Sequence, residues 1–568
     1  MSTLHIPSNQ ESVCPMPLVP SSPQLLARCK SGENETVSKN AKITAFIGLV
    51  ISLAGCAEAT EEFTFASLQT PSGEIRGTVI DDVERFRGIP YAKKPVGELR
   101  FAPAQLSVVW DGTLEAFQPG SVCPQDESVN FLAPDAVMSE DCLYLDIYKP
   151  AGEQVDLPVL FWIHGGGYTL GSGDTYDGSV LARQGPAIIV SINYRLGLLG
   201  FTDTSSWGAE FNGSHNNGIG DQIVALRWVK RNIQEFGGNP DRVTIFGESA
   251  GAGSVLALLS SPEANGLFAQ AISHSPPPIC DQPSDLLSFL SEKMGESKSA
   301  VKTLLANSSW AEIIEIQKEL VDFPFAACID EDVIFSDKGA EQRGINLSQA
   351  PLIVGSNKDE GTFFTELFAL ADTFGADGGE ALTVNLAKGM GKDENVPAYL
   401  EYVKSQHADK KDLSTQIWND FFHSAVAKAS RRAVQRNSDV WVYRFDLPSS
   451  RNPFGTILGL AGIGNDLGAT HASEIELTFN YFDLPDDKNM FHEKNNAMAA
   501  SLAEKWSGTI LKFAISGDPN GAGLPTWPEF SATEKIALAV DAESHTVSAP
   551  HEQIYSMLHG DAWSISEL

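Results

Sequence analysis

Apolar residues in this chain gather into short unbroken runs separated by stretches of helical periodicity. Leu157-Pro158-Val159-Leu160-Phe161-Trp162-Ile163 is one run, and it ends in glycines; Ala187 to Tyr194 and Arg242 to Phe246 are two more. Runs of this kind suit strands buried on both faces. Between them, Gly220 to Phe236 places Ile223, Leu226, Val229, Ile233 and Phe236 at the spacing of one helix face. Further along, Pro351 to Val354 and Val440 to Phe445 read as strands. Strands alternating with helices predict an α/β fold, a mostly parallel central sheet covered by helices on both faces. Residues 281–325 and 366–435 are mainly helical in pattern and are expected to form a cap. No linker rich in Gly, Pro or Ser divides the chain after position 60, so residues 63–568 are expected to be one domain.

The N-terminus reads differently. Residues 1–38 are rich in Ser, Pro, Asn and Glu without apolar periodicity, as in a disordered extension. Residues 39–55 begin with Lys39 and Lys42, continue as the apolar run Ile43 to Ala54, and lead to Leu53-Ala54-Gly55-Cys56. That order is a signal peptide pattern, and the run is shorter than the about 20 residues of a spanning helix. The tetrapeptide resembles the lipobox of bacterial lipoproteins, which implies lipidation of Cys56, a tether over 56–62, and attachment at the cell envelope. Because Ala57 follows the cysteine, the outer membrane is expected rather than the inner; secretion is the alternative. Translation from Val37 would give a signal peptide of ordinary length.

Composition narrows the partners. The chain carries 73 acidic and 40 basic residues, a formal charge of −33, which disfavours polyanions such as nucleic acid. The cysteines Cys14, Cys29, Cys56, Cys123, Cys142, Cys280 and Cys328 show no CxxC spacing, and no Cys/His cluster or phosphate loop suggests a metal or nucleotide cofactor.

Gly247-Glu248-Ser249-Ala250-Gly251 follows the strand ending at Phe246 and precedes a helix start of small residues. A serine on a sharp strand-to-helix turn is held exposed in a strained backbone, with glycines giving room on either side. His164-Gly165-Gly166-Gly167 follows Ile163 and is the glycine-rich element whose N–H groups can bind an oxyanion. A serine triad in this fold runs Ser, acid, His. Among the histidines after Ser249, His471 stands out for its place in the glycine-rich loop from Gly462 to Ala472. For the acid, position alone leaves Asp359 and Glu360 as rivals in the loop after the strand Pro351 to Val354.

These residues resemble the type-B carboxylesterase and cholinesterase family over residues 63–560. The resemblance rests on Phe86 to Ala92, Ser139-Glu140-Asp141-Cys142-Leu143-Tyr144-Leu145, the segment Phe236 to Gly251, Gly355 to Gly361, and His471 with Glu474-Ile475. It implies an α/β-hydrolase with helical cap insertions and a triad of Ser249, Glu360 and His471. It also implies oxyanion donors at Gly166, Gly167 and Ala250, a disulfide between Cys123 and Cys142, and salt bridges Arg100–Glu140 and Arg195–Asp221. The pocket walls are expected at Tyr168, Phe323 and Phe325. Two departures stand out. The Cys123–Cys142 loop contains no tryptophan, where cholinesterases place a choline-binding one. Pro277 occupies a position at which the family usually supplies a second serine near the acid. Cys280 and Cys328 match no family disulfide, and their state is left open by the sequence.

The expected activity is hydrolysis of small to medium carboxylic esters through an acyl-enzyme, without cofactor. The competing readings are a catalytically silent adhesion or binding module of the same fold, and a lipase, thioesterase or amidase.

Overall fold

The computed structural model describes residues 64–560 except 107–108, 128–135, 284, 321–324, 374–385, 388, 393, 408, 455–466, 485–488 and 549–550. The expected signal sequence, Cys56 and Phe323 therefore lie outside the described residues. Residues 62–568 form one compact unit. No helix among the described residues is long and apolar enough to cross a membrane.

Among the described residues, thirteen strands form a single sheet. They are β1 Thr64–Thr70, β2 Gly73–Ile80, β3 Val83–Pro90, β4 Thr113–Glu115, β5 Tyr144–Pro150, β6 Leu157–Ile163 and β7 Ile188–Ile192. After these come β8 Gly238–Glu248, β9 Gln270–His274, β10 Leu352–Asn357, β11 Val440–Phe445, β12 Ile536–Val540 and β13 His545–Ser548. The spatial order is β1-β2-β3-β5-β7-β6-β8-β9-β10-β11-β12-β13, with β4 beside β2. Pairing is parallel from β7 through β12 and antiparallel at both flanks except for the parallel pair β2–β4. The apolar runs at 157–163 and 440–445 coincide with β6 and β11. The expected helix at 220–236 begins earlier, at Asn217, and tightens into a 3₁₀ turn at Ile233–Phe236.

Each central strand feeds two cores, because successive side chains point to opposite faces. In β6, Val159, Phe161 and Ile163 join one cluster, while Leu160 and Trp162 join the other. Helices Asn217–Asn232, Ala250–Leu259 and Lys410–Gln435 cover the first face with Ile223, Leu226, Val255, Leu258 and Val426. Helix Ala497–Ser516 covers the second with Leu502, Trp506, Ile510 and Phe513. Two smaller cores belong to cap segments, one under helices Leu286–Met294, Lys298–Asn307 and Trp310–Lys318, the other around Tyr399 and Ile417.

The Cys123–Cys142 disulfide is present. A second bond joins Cys280 to Cys328, whose Cα atoms are 4.5 Å apart. The Arg195–Asp221 pair is fully buried at 2.7 Å, and Arg100 meets Glu140 at 2.6 Å.

Candidate active site

The carboxyl ends of β6, β8 and β10 converge on one place, where loops leave a parallel sheet and ligands bind in folds of this kind. Ser249 stands between β8 and helix Ala250–Leu259 with φ 54° and ψ −124°, a conformation that costs a non-glycine residue of order 1–3 kcal/mol. Neighbouring glycines make the turn possible. A Cβ on Gly251 would lie 2.0 Å from the Ile163 carbonyl oxygen, so only glycine lets the helix start this close to β6. The helix N-terminus behind Ser249 favours developing negative charge.

The loop after β6 crosses directly over the serine. A Cβ on Gly165 would stand 3.1 Å from that of Ser249. Gly166 and Gly167 have φ values of 103° and 61°, in the region glycine adopts without strain. The N–H groups of Gly166, Gly167 and Ala250 have no partner among the described residues, which leaves them available as donors.

His471 and Glu360 meet across 111 positions, with Nδ1 2.6 Å from Oε2. Both are buried, Glu360 completely. The other oxygen of Glu360 accepts the Asn357 backbone N–H at 2.8 Å, so support for this carboxylate comes from the main chain rather than from a second serine. Asp359 is used otherwise: its carboxylate accepts the Ala469 N–H at 3.0 Å and its own N–H donates to the Ala469 carbonyl, pinning the histidine loop. Geometry thus separates the two rival acids.

Ser249 Oγ and His471 are not hydrogen-bonded. The imidazole Nε2 lies 3.1 Å from Glu248 Oε1 instead. Serine–histidine contacts are often long in unliganded sites and tighten with substrate. Two further buried carboxyls, Glu248 and Glu474, interact with Glu360. Burial first, and the negative charge of Glu360 second, push Glu248 well above the usual carboxylate range. Glu474 is pushed up to about 8 by burial and by the charges of Glu248 and Glu360, against a hydrogen bond from Asn357. Burial also lowers His164, beside the oxyanion loop, to about 4, so it remains neutral.

Aromatic rings enclose the histidine. Phe422, Phe364 and Phe363 lie 4.5, 5.0 and 6.0 Å from the imidazole, ring centre to ring centre. Trp418 stacks on Phe364 at 4.0 Å. These residues belong to helices Gly361–Thr373 and Lys410–Gln435, too far apart in sequence for a pattern to join them. Of the expected pocket residues, Tyr168 is buried with φ 59°, its ring 4.8 Å from Phe201 and its hydroxyl facing Gly253 beneath the nucleophile helix. Phe325 is half-buried between two cores.

The description "Carboxylesterase family" matches residues 65–557. The chain belongs to the carboxylesterase family. Para-nitrobenzyl esterase of Bacillus subtilis is 32% identical over 508 residues, covering 86% of this chain and 98% of the relative. Fumonisin B1 esterase of Sphingopyxis macrogoltabida is 33% identical, with 82% and 85% covered. Among solved structures, the Geobacillus stearothermophilus carboxylesterase Est55 superposes with a TM-score of 0.70 at 31% identity, covering 87% of this chain and 99% of that one. These carboxylesterase neighbours have the α/β-hydrolase fold that the family resemblance implied.

Proposed function

We propose that Ser249, His471 and Glu360 form the triad of a serine carboxylesterase acting on small to medium uncharged esters. The observation that carries this reading is the 2.6 Å contact between His471 and Glu360 beside a serine held at positive φ. His471 turns from Glu248 to Ser249 and removes the hydroxyl proton as Oγ attacks the ester carbonyl. Glu360 holds the imidazole tautomer and stabilises its charged form. The N–H groups of Gly166, Gly167 and Ala250 receive the oxyanion, where losing one donor typically costs about 10²–10³ in rate. The imidazolium protonates the departing alcohol, and water then releases the acid from the acyl-enzyme by the same steps in reverse roles.

The rings of Phe363, Phe364 and Phe422 favour esters with an apolar or aryl group on the side facing His471. Choline esters are not preferred, because the Cys123–Cys142 loop lacks a tryptophan face for a quaternary ammonium. Rates on graded p-nitrophenyl esters, and on butyrylcholine against an uncharged ester of equal size, test both statements. Strong preference for the charged ester overturns the second.

The same reading places the enzyme in the cell envelope, lipid-anchored through Cys56. Its support is the order Lys39, Lys42, Ile43 to Ala54 and Leu53-Ala54-Gly55-Cys56, together with two disulfides suited to an oxidising compartment. Native protein should fractionate with membranes and the Cys56→Ser variant should not; soluble native protein retaining residues 1–55 contradicts it.

A further inference from the structure

Asn357 is the last residue of β10 and is fully buried. It makes four close polar contacts, while its side-chain Oδ1 is buried without a hydrogen-bond partner. The backbone N–H donates to Glu360 Oε1 at 2.8 Å, and the backbone carbonyl faces His423 Nε2 at 3.0 Å. The side-chain Nδ2 donates to the Thr470 carbonyl and to Glu474 Oε2, both at 2.6 Å. The amide orientation follows from its surroundings: turned over, its oxygen would face two acceptor oxygens. One residue therefore holds the acid, the residue just before His471, and a third buried carboxyl.

The need for such a node is electrostatic. Glu248 and Glu360 are buried against one imidazole, and the buried Glu474 interacts electrostatically with both carboxyls. Three carboxylates in one dry space repel strongly, and charge settles where donors are best placed. Glu360 has a backbone donor and the imidazole. Glu474 Oε1 has no hydrogen-bond partner, and Glu248 Oε1 has only its 3.1 Å approach to His471 Nε2, which does not meet hydrogen-bond geometry. The groups that face Glu474 electrostatically are Glu248 from the end of β8, Glu360 from the loop after β10, and the buried hydroxyls of Tyr176 and of Tyr443 on β11. His423 and Asp420, on helix Lys410–Gln435, interact behind Asn357.

We propose, resting on the triad reading above, that Asn357 is the positioning residue of this site. It clamps the strand end carrying the acid to the loop carrying the histidine and gives the buried Glu474 carboxyl a donor. It touches no substrate in this role. It acts through the Glu360–His471 distance, and displacement of about 1 Å in such a pair can cost a hundredfold in rate.

The test compares wild type, Asn357→Ala, Asn357→Asp and His471→Ala on p-nitrophenyl butyrate from pH 6 to 9, with melting temperatures. Asn357→Ala should lose about ten- to a hundredfold in kcat while KM stays within about twofold, since only transition-state geometry is disturbed. Asn357→Asp keeps the shape but places an acid against Glu474 and the Thr470 carbonyl. When protonated it can still donate one hydrogen bond; when ionised it cannot. The wild-type-to-variant ratio of kcat should therefore climb as pH rises, a signature that a purely structural defect would not give. Should Asn357→Ala fail to fold, the pH dependence of Asn357→Asp carries the test. A kcat within about twofold of wild type for a folded Asn357→Ala, or a flat ratio for Asn357→Asp, overturns the proposal while an inactive His471→Ala leaves the triad standing. Retained hydrolysis by His471→Ala would instead sink the triad reading itself.

Discussion

Nε2 of His471 rests 3.1 Å from Oε1 of Glu248, the residue immediately before the nucleophile. Burial first, and the charge of Glu360 second, push the Glu248 carboxyl well above the usual carboxylate range and so favour its neutral form. The imidazole rests against this carboxyl and must turn from it to serve Ser249. Glutamine reproduces a neutral group of the same shape. Glu248→Gln should hold kcat/KM within about tenfold of wild type near pH 7, the worth of about one hydrogen bond. Steady-state kinetics settle it: a loss as deep as that of His471→Ala would mean that a charged Glu248 takes part.

Glu360 and Asp359 are neighbours with different tasks. Glu360→Gln should lower kcat by about 10⁴, because the amide favours the wrong imidazole tautomer. Asp359→Asn keeps an oxygen able to accept the Ala469 N–H and should lose far less. Kinetics with circular dichroism on both variants check the order. Equal losses in folded proteins would return the acid to dispute.

Glu474 should make stability depend on pH. Its carboxyl ionises near 4.5 in the unfolded chain but keeps its proton to about 8 when folded. Below 4.5 both states are protonated and there is no penalty. As pH rises through this window the unfolded state sheds the proton first, so the folded state loses stability. Glu474→Gln removes the titration. The melting temperature of the variant relative to wild type should increase from pH 5 to pH 8.5; a difference independent of pH would refute the assignment.

The two disulfides should stabilise unequally. In the chain-entropy picture, the separation of 19 positions between Cys123 and Cys142 corresponds to about 3 kcal/mol, and the separation of 48 between Cys280 and Cys328 to about 4. Peptide mapping without reduction should find both links. Denaturant unfolding of the double serine variants should rank them in that order.

Much of this was legible in the sequence because it is local. The runs at 157–163 and 440–445 are strands because they are apolar throughout except at Arg444, which is paired with Asp446, and so suit a sheet covered on both faces. The nucleophile turn and the His164–Gly167 loop each declare themselves within five residues. The rest depends on distance in sequence. Glu248 occupies the variable position of the Gly-x-Ser-x-Gly turn, and only the fold brings its carboxyl to His471. Asn357, Phe364, Trp418 and Phe422 come from separate elements with nothing linear to join them. Cys280 and Cys328 could not be paired beforehand, since connectivity is a property of the folded chain. Tyr168, expected in the pocket wall, lies beneath the nucleophile helix because Gly253 leaves room for its hydroxyl there.

The central claim is that Ser249 is the acylated nucleophile, activated by His471. Intact-mass and peptide analysis after treatment with an active-site phosphonate tests it most directly. The account predicts one adduct per chain, on Ser249, lost in Ser249→Ala and greatly slowed in His471→Ala. An adduct on another residue, or none while ester hydrolysis persists, would contradict it.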